Sequence, residues 1–231
     1  ALSSAASDVY KRQIYGLFAM PDGVGCAVHA GAKLYFRAPD GTQTELCADM
    51  NEAFSQSFTM KGVLYLMDGK TYRAVRKSSK NTVWKAVSVS GTAYVPTTTI
   101  SAAPTGGGTS YEAVNLLTPK RINTFIGDGT ATQFKVDATN LDETAVTAEV
   151  NGSAVTVSAV NRSTGMVTLA AAPANGNGLA NVSIAFAKTV SGHADKINKC
   201  RFAGLYGGKN DTRVFLSGNP DEPDCDWPVS Y

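Results

Sequence analysis

The chain has 231 residues, a formal net charge of +2 at pH 7 and a charged fraction of 17%, below the roughly 25% typical of soluble proteins. It has no basic stripe interleaved with aromatic residues, which argues against sequence-specific nucleic-acid binding, and no apolar run approaches the roughly 20 residues of a membrane-spanning helix. The 22 glycines and the abundance of Thr, Ser and Val predict a mostly β protein.

The first 13 residues, ALSSAASDVYKRQ, are left out of the fold prediction. DVYKRQ resembles the translation of a transposon-end sequencing adaptor, and the alternative is a disordered native leader. A signal peptide is disfavoured because the segment has no continuous apolar core and its positive charges follow the small residues. We therefore expect a fragment assembled from environmental reads, truncated at its N-terminus, with DCDWPVSY as a candidate for a second cut end.

Residues 14–95 show short strand-like runs separated by Gly and Asp turn signals: YGLFAM, GCAVHA, KLYFRA and QTELCA. The same pattern recurs around two Leu-Tyr pairs, Leu34-Tyr35 and Leu64-Tyr65, and a third copy is NKCRFAGLYGGKNDTRVFLSGNPDEP. Repeated small meanders favour propeller blades over an ordinary β-meander, which stays open as the alternative. Six aromatic residues are expected in the core of the blades: Tyr15, Phe18, Tyr35, Phe58, Tyr65 and Phe215.

Residues 96–120 change character, and their Pro, Thr and Gly content predicts an irregular linker. The GGGTS within it lacks the Lys and the strand-to-helix context of a phosphate-binding loop. Residues 121–189 then predict a compact β-sandwich of five or six short antiparallel strands. Phe125, Phe134 and Val136 are expected on its core side, and Asn151-Gly152 is expected to form a hairpin turn.

The stretches TFIGDGTATQFKV, AVTAEVNGSAVT, TGMVTLAAAPANG and NVSIAF resemble an immunoglobulin-like β-sandwich module of tailed-bacteriophage virion proteins. LYFRAPDGT, YLMDGKTYR, AYVPTTTI, NLLTPKR and RVFLSGNP, the last at residues 213–220, resemble the β-propeller parts of phage tail-tip, hub or nozzle proteins. The resemblance implies an all-β fold: a partial β-propeller with an inserted small β-sandwich, too few blades being present to close a ring. Blade-like sequence resumes over residues 190–231, and the insertion interrupts it at an exposed loop, where closure costs little.

No catalytic, cofactor-binding or metal-ligating residue is predicted. His29 is interpreted as a satisfied strand residue and His193 as solvated in the linker that returns from the insertion. No nucleophile or zinc motif accompanies them. The four widely spaced cysteines, Cys26, Cys47, Cys200 and Cys225, predict buried free thiols, with disulfides left open.

Two charged clusters have an alternative functional interpretation. Asp221, Glu222, Asp224 and Asp226 are carboxylates of the kind that bind Ca²⁺, but the prolines around them favour a solvated turn. The basic segment YRAVRKSSKNTVWK is interpreted as an exposed hairpin with cations on its wet face, the alternative being the lining of a DNA conduit. Its relevant residues are Tyr72, Arg73, Arg76, Lys77, Lys80, Trp84 and Lys85.

The resemblance implies a non-enzymatic structural component of a phage tail, without cofactors, that is assembled in the bacterial cytoplasm and located in the virion. The expected partners are copies of the chain itself and other virion proteins, without a membrane and without sequence-specific nucleic acid. The alternatives are a β module of a phage tail or bacterial adhesin that binds a surface glycan or receptor, and a propeller enzyme acting on polysaccharide.

Overall fold

The computed structural model describes residues 13–77, 82–206 and 213–230. The fold is all-β, with 46% of residues in strands and 4% in helices, arranged in several small sheets, and the described residues form no closed barrel. The chain divides into two compact units. The meander unit is made of the described parts of Ala1–Thr92 and Gly192–Tyr231, and the two-sheet unit is Ala93–Ser191.

The first part of the meander unit folds into two four-stranded antiparallel meanders. The first meander sheet contains β1 (Ile14–Ala19), β2 (Cys26–Ala30), β3 (Lys33–Arg37) and β4 (Gln43–Cys47). The second contains β5 (Gln56–Met60), β6 (Val63–Met67), β7 (Tyr72–Lys77) and β8 (Trp84–Ser88), after which a 3-10 helix covers Val89–Gly91. Each strand pairs with the next along the chain, as the runs of apolar residues between Gly and Asp turns predict.

The first and second meander sheets share one hydrophobic core. Leu34 of β3 packs in it with Leu66 of β6 and Val75 of β7, and all three side chains are inaccessible to solvent. The core is therefore built mainly from aliphatic side chains. Of the six aromatic residues expected in the core of the blades, only Phe58 is buried, while the other five are partly exposed.

The two Leu-Tyr pairs do not occupy equivalent strands. Leu34-Tyr35 lies on the third strand of its meander, whereas Leu64-Tyr65 lies on the second strand of the next one. The sequence repeat is therefore a repeat of hairpins and not of whole sheets. Both pairs follow a Gly turn and precede a DG turn, so the similarity reflects shared turn chemistry.

The C-terminal part of the meander unit contains a short helix and a third sheet. Helix α1 (His193–Asn198) precedes β18 (Phe202–Tyr206), β19 (Arg213–Ser217) and β20 (Trp227–Ser230), which pair in that order. The helix interrupts the region that we expected to be β throughout. Strand β18 lies beside β5, and the Arg201 side chain covers Gly69 in the turn after β6.

The two-sheet unit contains a six-stranded and a three-stranded sheet. The strands are β9 (Thr97–Ala102), β10 (Thr109–Ser110), β11 (Lys120–Phe125), β12 (Gln133–Lys135), β13 (Thr147–Val150), β14 (Ser153–Val155), β15 (Val157–Asn161), β16 (Met166–Leu169) and β17 (Val182–Ala187). The six-stranded sheet has the order β10-β9-β11-β17-β13-β14 and the three-stranded sheet the order β12-β16-β15. All pairs are antiparallel except β9 with β11.

Both sheets of this unit contribute to one core. Phe125 of β11 and Phe134 of β12 meet edge to face, with ring centroids 5.4 Å apart, and neither is accessible to solvent. Val136 belongs to the same core, which confirms the predicted core side. Asn151 and Gly152 both have positive φ, 49° and 74°, and join β13 to β14 as predicted.

The predicted linker at residues 96–120 is wrong as an irregular segment. Strand β9 runs parallel to β11 inside the six-stranded sheet, and Gly106, Gly107 and Gly108 form its turn into β10 at positive φ. The Thr-rich run TTTI has the β-branched side chains that suit a strand, and the flanking Pro and Gly residues obscured it. The N-terminal segment left out of the fold prediction includes one residue that belongs to the fold. The carbonyl of Gln13 accepts a hydrogen bond from the N–H of Gly31, while residues 1–12 lie outside the described residues.

Candidate functional site

A polar group in the meander unit, which we call the His29 cluster, contains buried His29, Ser55 and Asp68 and partly buried Tyr15 and Asn51. It lies where the first and second meander sheets meet. His29 belongs to β2, Ser55 immediately precedes β5, and Asp68 begins the turn between β6 and β7. The cluster therefore connects residues of both meander sheets and of the segment between them.

His29 is fully buried and only half satisfied. Its Nδ1 atom is hydrogen-bonded to the Ser55 hydroxyl, whereas its Nε2 atom has no hydrogen-bond partner. The Tyr15 ring lies against the imidazole with a centroid separation of 5.3 Å. The prediction of a strand residue is confirmed, but the prediction that its polar atoms are satisfied is wrong for Nε2.

Asp68 is fully buried, and both of its carboxylate oxygens are occupied. Oδ1 accepts hydrogen bonds from the backbone N–H groups of Lys70 and Thr71, at 2.9 and 2.5 Å. Oδ2 accepts from the Asn51 N–H at 2.8 Å and from the Thr71 hydroxyl at 2.7 Å. Asn51 also donates from its side chain to the Asp68 carbonyl. A buried carboxylate with four donors fixes the turn and ties the connecting segment to it.

The cluster brings Ser, His and Asp together, yet its geometry serves packing. His29 and Asp68 are inaccessible to solvent, and Ser55 is nearly so, whereas a nucleophile must reach its substrate. Asp68 also directs its oxygens to its own turn and to Asn51, so it does not orient the imidazole through a carboxylate hydrogen bond. We assign the cluster to the joint between the two meander sheets.

Burial lowers the pKa of His29 below its ordinary value, because the imidazolium would lose its hydration. The Asp68 carboxylate and the backbone of Gly31 and Asn51 act in the opposite direction and are outweighed. Neither backbone group meets Nε2 in hydrogen-bond geometry. The neutral imidazole is therefore the form that fits this site.

The basic segment forms a hairpin, but its cations do not all lie on a wet face. Strands β7 and β8 pair as expected, while the SSKN turn with Lys80 is outside the described residues. Arg73 is largely buried and pairs with Asp49. Lys77 pairs with Asp22 at 2.7 Å, lies 4.8 Å from the Trp84 ring centre and lowers the pKa of Asp22 through their hydrogen bond. Tyr72 and Trp84 are buried.

Asp22, Lys77 and Trp84 line a cleft of about 350 Å³, together with neighbouring residues such as Pro21 and Arg76. Because Lys77 is committed to Asp22 and to the Trp84 ring, it stabilises the contact between the first and second meander sheets. The arrangement accounts for Lys77 without invoking a nucleic-acid ligand.

Two of the four acidic residues of the loop form ion pairs with lysines, one in α1 and one directly after it. Lys199 pairs with Asp221 at 2.5 Å, which raises the pKa of Lys199, and Lys196 pairs with Glu222 at 2.9 Å. Lys196 also lies 5.2 Å from the Trp227 ring centre. In the described parts of the chain, no group of three or more His, Cys, Asp or Glu side chains is placed to hold a metal ion. The loop thus has the local ion pairs of an ordinary surface turn.

The remaining candidates are dispersed. His193 is the first residue of α1 and is half-buried, not solvated in a linker as we expected. All four cysteines are free, as predicted, but only Cys200 is buried, and Cys225 is exposed. Among the described helices, none has the length and apolar character needed to cross a bilayer.

The outer face of the first meander sheet carries an exposed apolar row beside charged and polar residues of β3 and β4. Leu17, Val28 and Tyr35 form a row across three strands on the side opposite Ala27 and Leu34, which face the core. Leu17 is 66% exposed, and Val28 and Tyr35 are partly exposed. The outer face of a sheet that packs on one side only is expected to be polar, so this row is a candidate interaction surface.

The third sheet has a similar face. Phe202 and Tyr206 lie on the same side of β18, 58% and 55% exposed, opposite the side of the sheet where Val214 and Leu216 are buried. Tyr206 meets Phe215 edge to face at 5.4 Å, and the Arg213 guanidinium lies 4.9 Å from the Tyr206 ring centre. The aromatic row is thus organised by its own contacts and remains open to solvent.

The two-sheet unit carries an exposed tyrosine pair. Tyr94 and Tyr111 are 67% and 65% exposed, and the Tyr94 hydroxyl donates to Glu112 at 2.9 Å. This hydrogen bond raises the pKa of Tyr94, and the loss of hydration and the charge of Glu112 act in the same direction. Glu112 also accepts from the N–H of Thr97 in β9, which fixes it to the sheet. Sequence reasoning missed this pair because Tyr94 lies just before the supposed linker and Tyr111 lies within it.

Comparisons of the chain with protein-family models, with curated proteins and with solved structures return no significant match.

Proposed function

We propose that the chain is a non-enzymatic structural component of a bacteriophage tail, of the hub, nozzle or connector kind, which acts by assembling into the virion. Under this proposal the three sheets of the meander unit are blades of a partial β-propeller, and the two-sheet unit is an inserted immunoglobulin-like β-sandwich. The partners are copies of the chain and other virion proteins, joined during assembly in the cytoplasm of a bacterial host.

The exposed apolar row of the first meander sheet carries this proposal. Leu17, Val28 and Tyr35 are of the same kind as the side chains that the opposite face of the sheet buries. Covering such a row removes apolar area from water, which favours association by about 25 cal/mol per Å² before the entropic cost of association is subtracted. The aromatic row of the third sheet, with Phe202 and Tyr206, offers a second surface on the same unit. Support from the sequence is the resemblance of the turn and strand motifs to phage virion modules.

The order of neighbouring genes tests the biological part of the proposal. Genes for portal, capsid and tail proteins beside this one support it, and a metabolic operon in that position counts against it. This measurement is independent of whether the chain assembles alone.

The assembly mechanism is tested by the molar mass of the purified chain in solution. We expect an oligomer, and we expect Leu17→Glu or Phe202→Glu to shift it toward the monomer because each places a charge in an apolar contact. Leu179→Glu is the matched control, since Leu179 is 75% exposed and belongs to the two-sheet unit and to neither of these sheets. A wild-type chain that stays monomeric at high concentration contradicts assembly through these faces.

The tyrosine pair favours one alternative, the recognition of a bacterial surface glycan. Exposed aromatic rings with a fixed carboxylate nearby suit sugar faces and hydroxyl groups, and Tyr94, Tyr111 and Glu112 provide both. Saturable binding on a surface-polysaccharide array that is lost in a Tyr94→Ala, Tyr111→Ala double variant supports this alternative. A silent array removes it.

A further inference from the structure

We propose that the joint between the first and second meander sheets is an acid-sensitive switch, in which protonation of His29 loosens the packing of one sheet on the other. The joint consists of the shared core of the two sheets and of residues 48–55, which connect them. His29 lies within it, without access to solvent. The inference does not depend on the proposed function.

The hydrogen bonds around the imidazole accommodate only its neutral form. Nδ1 is occupied by Ser55, and Nε2 has no partner. A neutral ring leaves one weakly polar atom unsatisfied there. Protonation would add both a buried charge and an N–H donor without an acceptor, and each is costly away from water.

The obvious counter-ion is not placed to compensate. Asp68 is the charged group that acts on His29 from the second meander sheet, but its two oxygens already accept four hydrogen bonds from Asn51, Lys70 and Thr71. A bond to His29 would require some of these to break. The same carboxylate therefore cannot hold its turn closed and also accept a proton donor from Nε2.

The other titratable groups around His29 do not offer an acceptor. Tyr15 of β1 contributes its ring face, and Cys47 of β4 is the register partner of Leu34, which is itself the partner of His29. Burial raises the pKa of Cys47, so it stays a neutral thiol in acid. The nearby Arg73 is paired with Asp49. The Asp68 charge and the backbone of Gly31 and Asn51 favour the imidazolium, but burial outweighs them.

The sign of the effect follows from linkage. In the open or unfolded chain His29 titrates at its ordinary pKa of about 6.5, and burial lowers the pKa in the closed joint. The stability that the closed joint gains from burying neutral His29 is therefore complete above about pH 6.5, and it is lost as the pH falls below that value. Between the two pKa values the ratio of closed to open joint falls by up to about tenfold per pH unit.

Trp84 provides a local probe, because it lies in the core shared by the two sheets. The chain has two tryptophans, so Trp227→Phe leaves Trp84 as the single emitter in the full chain. We expect a reversible red shift of Trp84 emission on acidification below about pH 6.5. His29→Gln should abolish this shift, and His193→Gln should retain it as the matched control. An acid transition unchanged in His29→Gln would assign it to carboxylates and overturn the proposal.

A second measurement covers the case in which His29→Gln does not fold. The two histidines give two imidazole signals in the NMR spectrum of the wild-type chain, and His193→Gln assigns them. The proposal requires the His29 signal to titrate below about 6.5, together with shifts of core resonances in the meander unit. A His29 signal that titrates at or above 6.5, or one that titrates without any change in the core, contradicts it.

Discussion

Gly165 lies so close to Ala138 that a Cβ atom on Gly165 would come within 3.0 Å of the Ala138 carbonyl oxygen. Gly165 also has φ +73°, and its own carbonyl accepts a hydrogen bond from Val136 at 3.0 Å. The turn between β15 and β16 therefore packs backbone against backbone on the segment that follows β12. Only glycine satisfies both the conformation and the space at this position.

We predict that Gly165→Ala destabilises the two-sheet unit by more than about 3 kcal/mol, among the larger single-residue effects. Gly152→Ala is the matched control, since Gly152 has nearly the same φ, +74°, but open space around it. Its cost should be about 1–2 kcal/mol of backbone strain alone. Hydrogen exchange of peptides from residues 93–191 measures both, and equal protection in the two variants would show that the close approach carries no cost.

The DG turns that begin at Asp40 and Asp68 differ in how much of the turn depends on the aspartate. Asp68→Ala would leave the N–H groups of Asn51, Lys70 and Thr71 without their acceptor inside the protein. Hydrogen bonds to a charged group contribute about 1.5–3 kcal/mol each at most, so we expect a loss of more than about 3 kcal/mol for the meander unit. Urea unfolding followed by tryptophan fluorescence reports on this unit, because Trp84 and Trp227 both belong to it.

Asp40→Ala is the control for this comparison. Asp40 starts the DG turn between β3 and β4 of the first meander sheet, but it is exposed and accepts one backbone hydrogen bond, from Thr42 at 2.8 Å. That bond lowers the pKa of Asp40. A much smaller loss of stability is expected, and a loss as large as that of Asp68→Ala would mean that burial does not distinguish the two turns.

The local signals in the sequence predicted the strands and several turns well. Asn151-Gly152 predicted its hairpin because both residues tolerate positive φ, and Phe125 and Phe134 predicted the core side because alternation places them there. The run SAVTVSAV alternates without a break, as one strand would, but it forms two strands, β14 and β15, which belong to different sheets and are separated by Thr156. The alternation of side chains continues where the chain passes from one sheet to the other, so the sequence pattern alone does not reveal the break.

The His29 cluster could not be assembled from the sequence. Its members are brought together only when the two meander sheets pack, since His29, Ser55 and Asp68 lie on separate elements. One signal was available for Asp68, which directly follows the apolar strand VLYLM and begins a DGKT turn. An aspartate at that position is more readily buried than one in the PDGT turn, but its four donors become visible only in the fold.

Cysteine labelling tests the environment of the thiols. Burial raises the pKa of Cys200 to about 11, with contributions from Asp226 and Glu222, and its sulfur donates to the Lys196 carbonyl at 3.3 Å. Cys200 therefore remains protonated between pH 7 and 9. We predict that iodoacetamide modifies the exposed Cys225 first and Cys200 last, as measured by peptide mass spectrometry. In urea the difference should vanish, and rapid labelling of Cys200 in the folded chain would contradict its burial.

A second polar network, in which Asn123, Thr98 and Thr99 are buried and Asp137 is exposed, holds the two-sheet unit together. Asn123 of β11 accepts a hydrogen bond from the Asp137 N–H at 2.8 Å and donates to the Thr98 hydroxyl at 2.9 Å. Thr98 and Thr99 of β9 both donate to the Asp137 carboxylate, at 2.6 and 2.8 Å. The network links the parallel strand pair of the six-stranded sheet to the segment after β12, and each polar group in it has a partner.

We predict that Asn123→Leu destabilises the two-sheet unit by about 2–4 kcal/mol, although it conserves size, because the Asp137 N–H loses its acceptor and Thr98 loses a donor. Asn175→Ala is the control, since Asn175 is exposed and its side chain accepts one local hydrogen bond, from Asn177. That substitution should stay within about 0.5 kcal/mol. Thermal unfolding followed by circular dichroism, with hydrogen exchange over residues 93–191, measures both variants. Equal midpoints for the two would mean that water replaces Asn123 in the network and that the strand β9 is held by its backbone ladder alone.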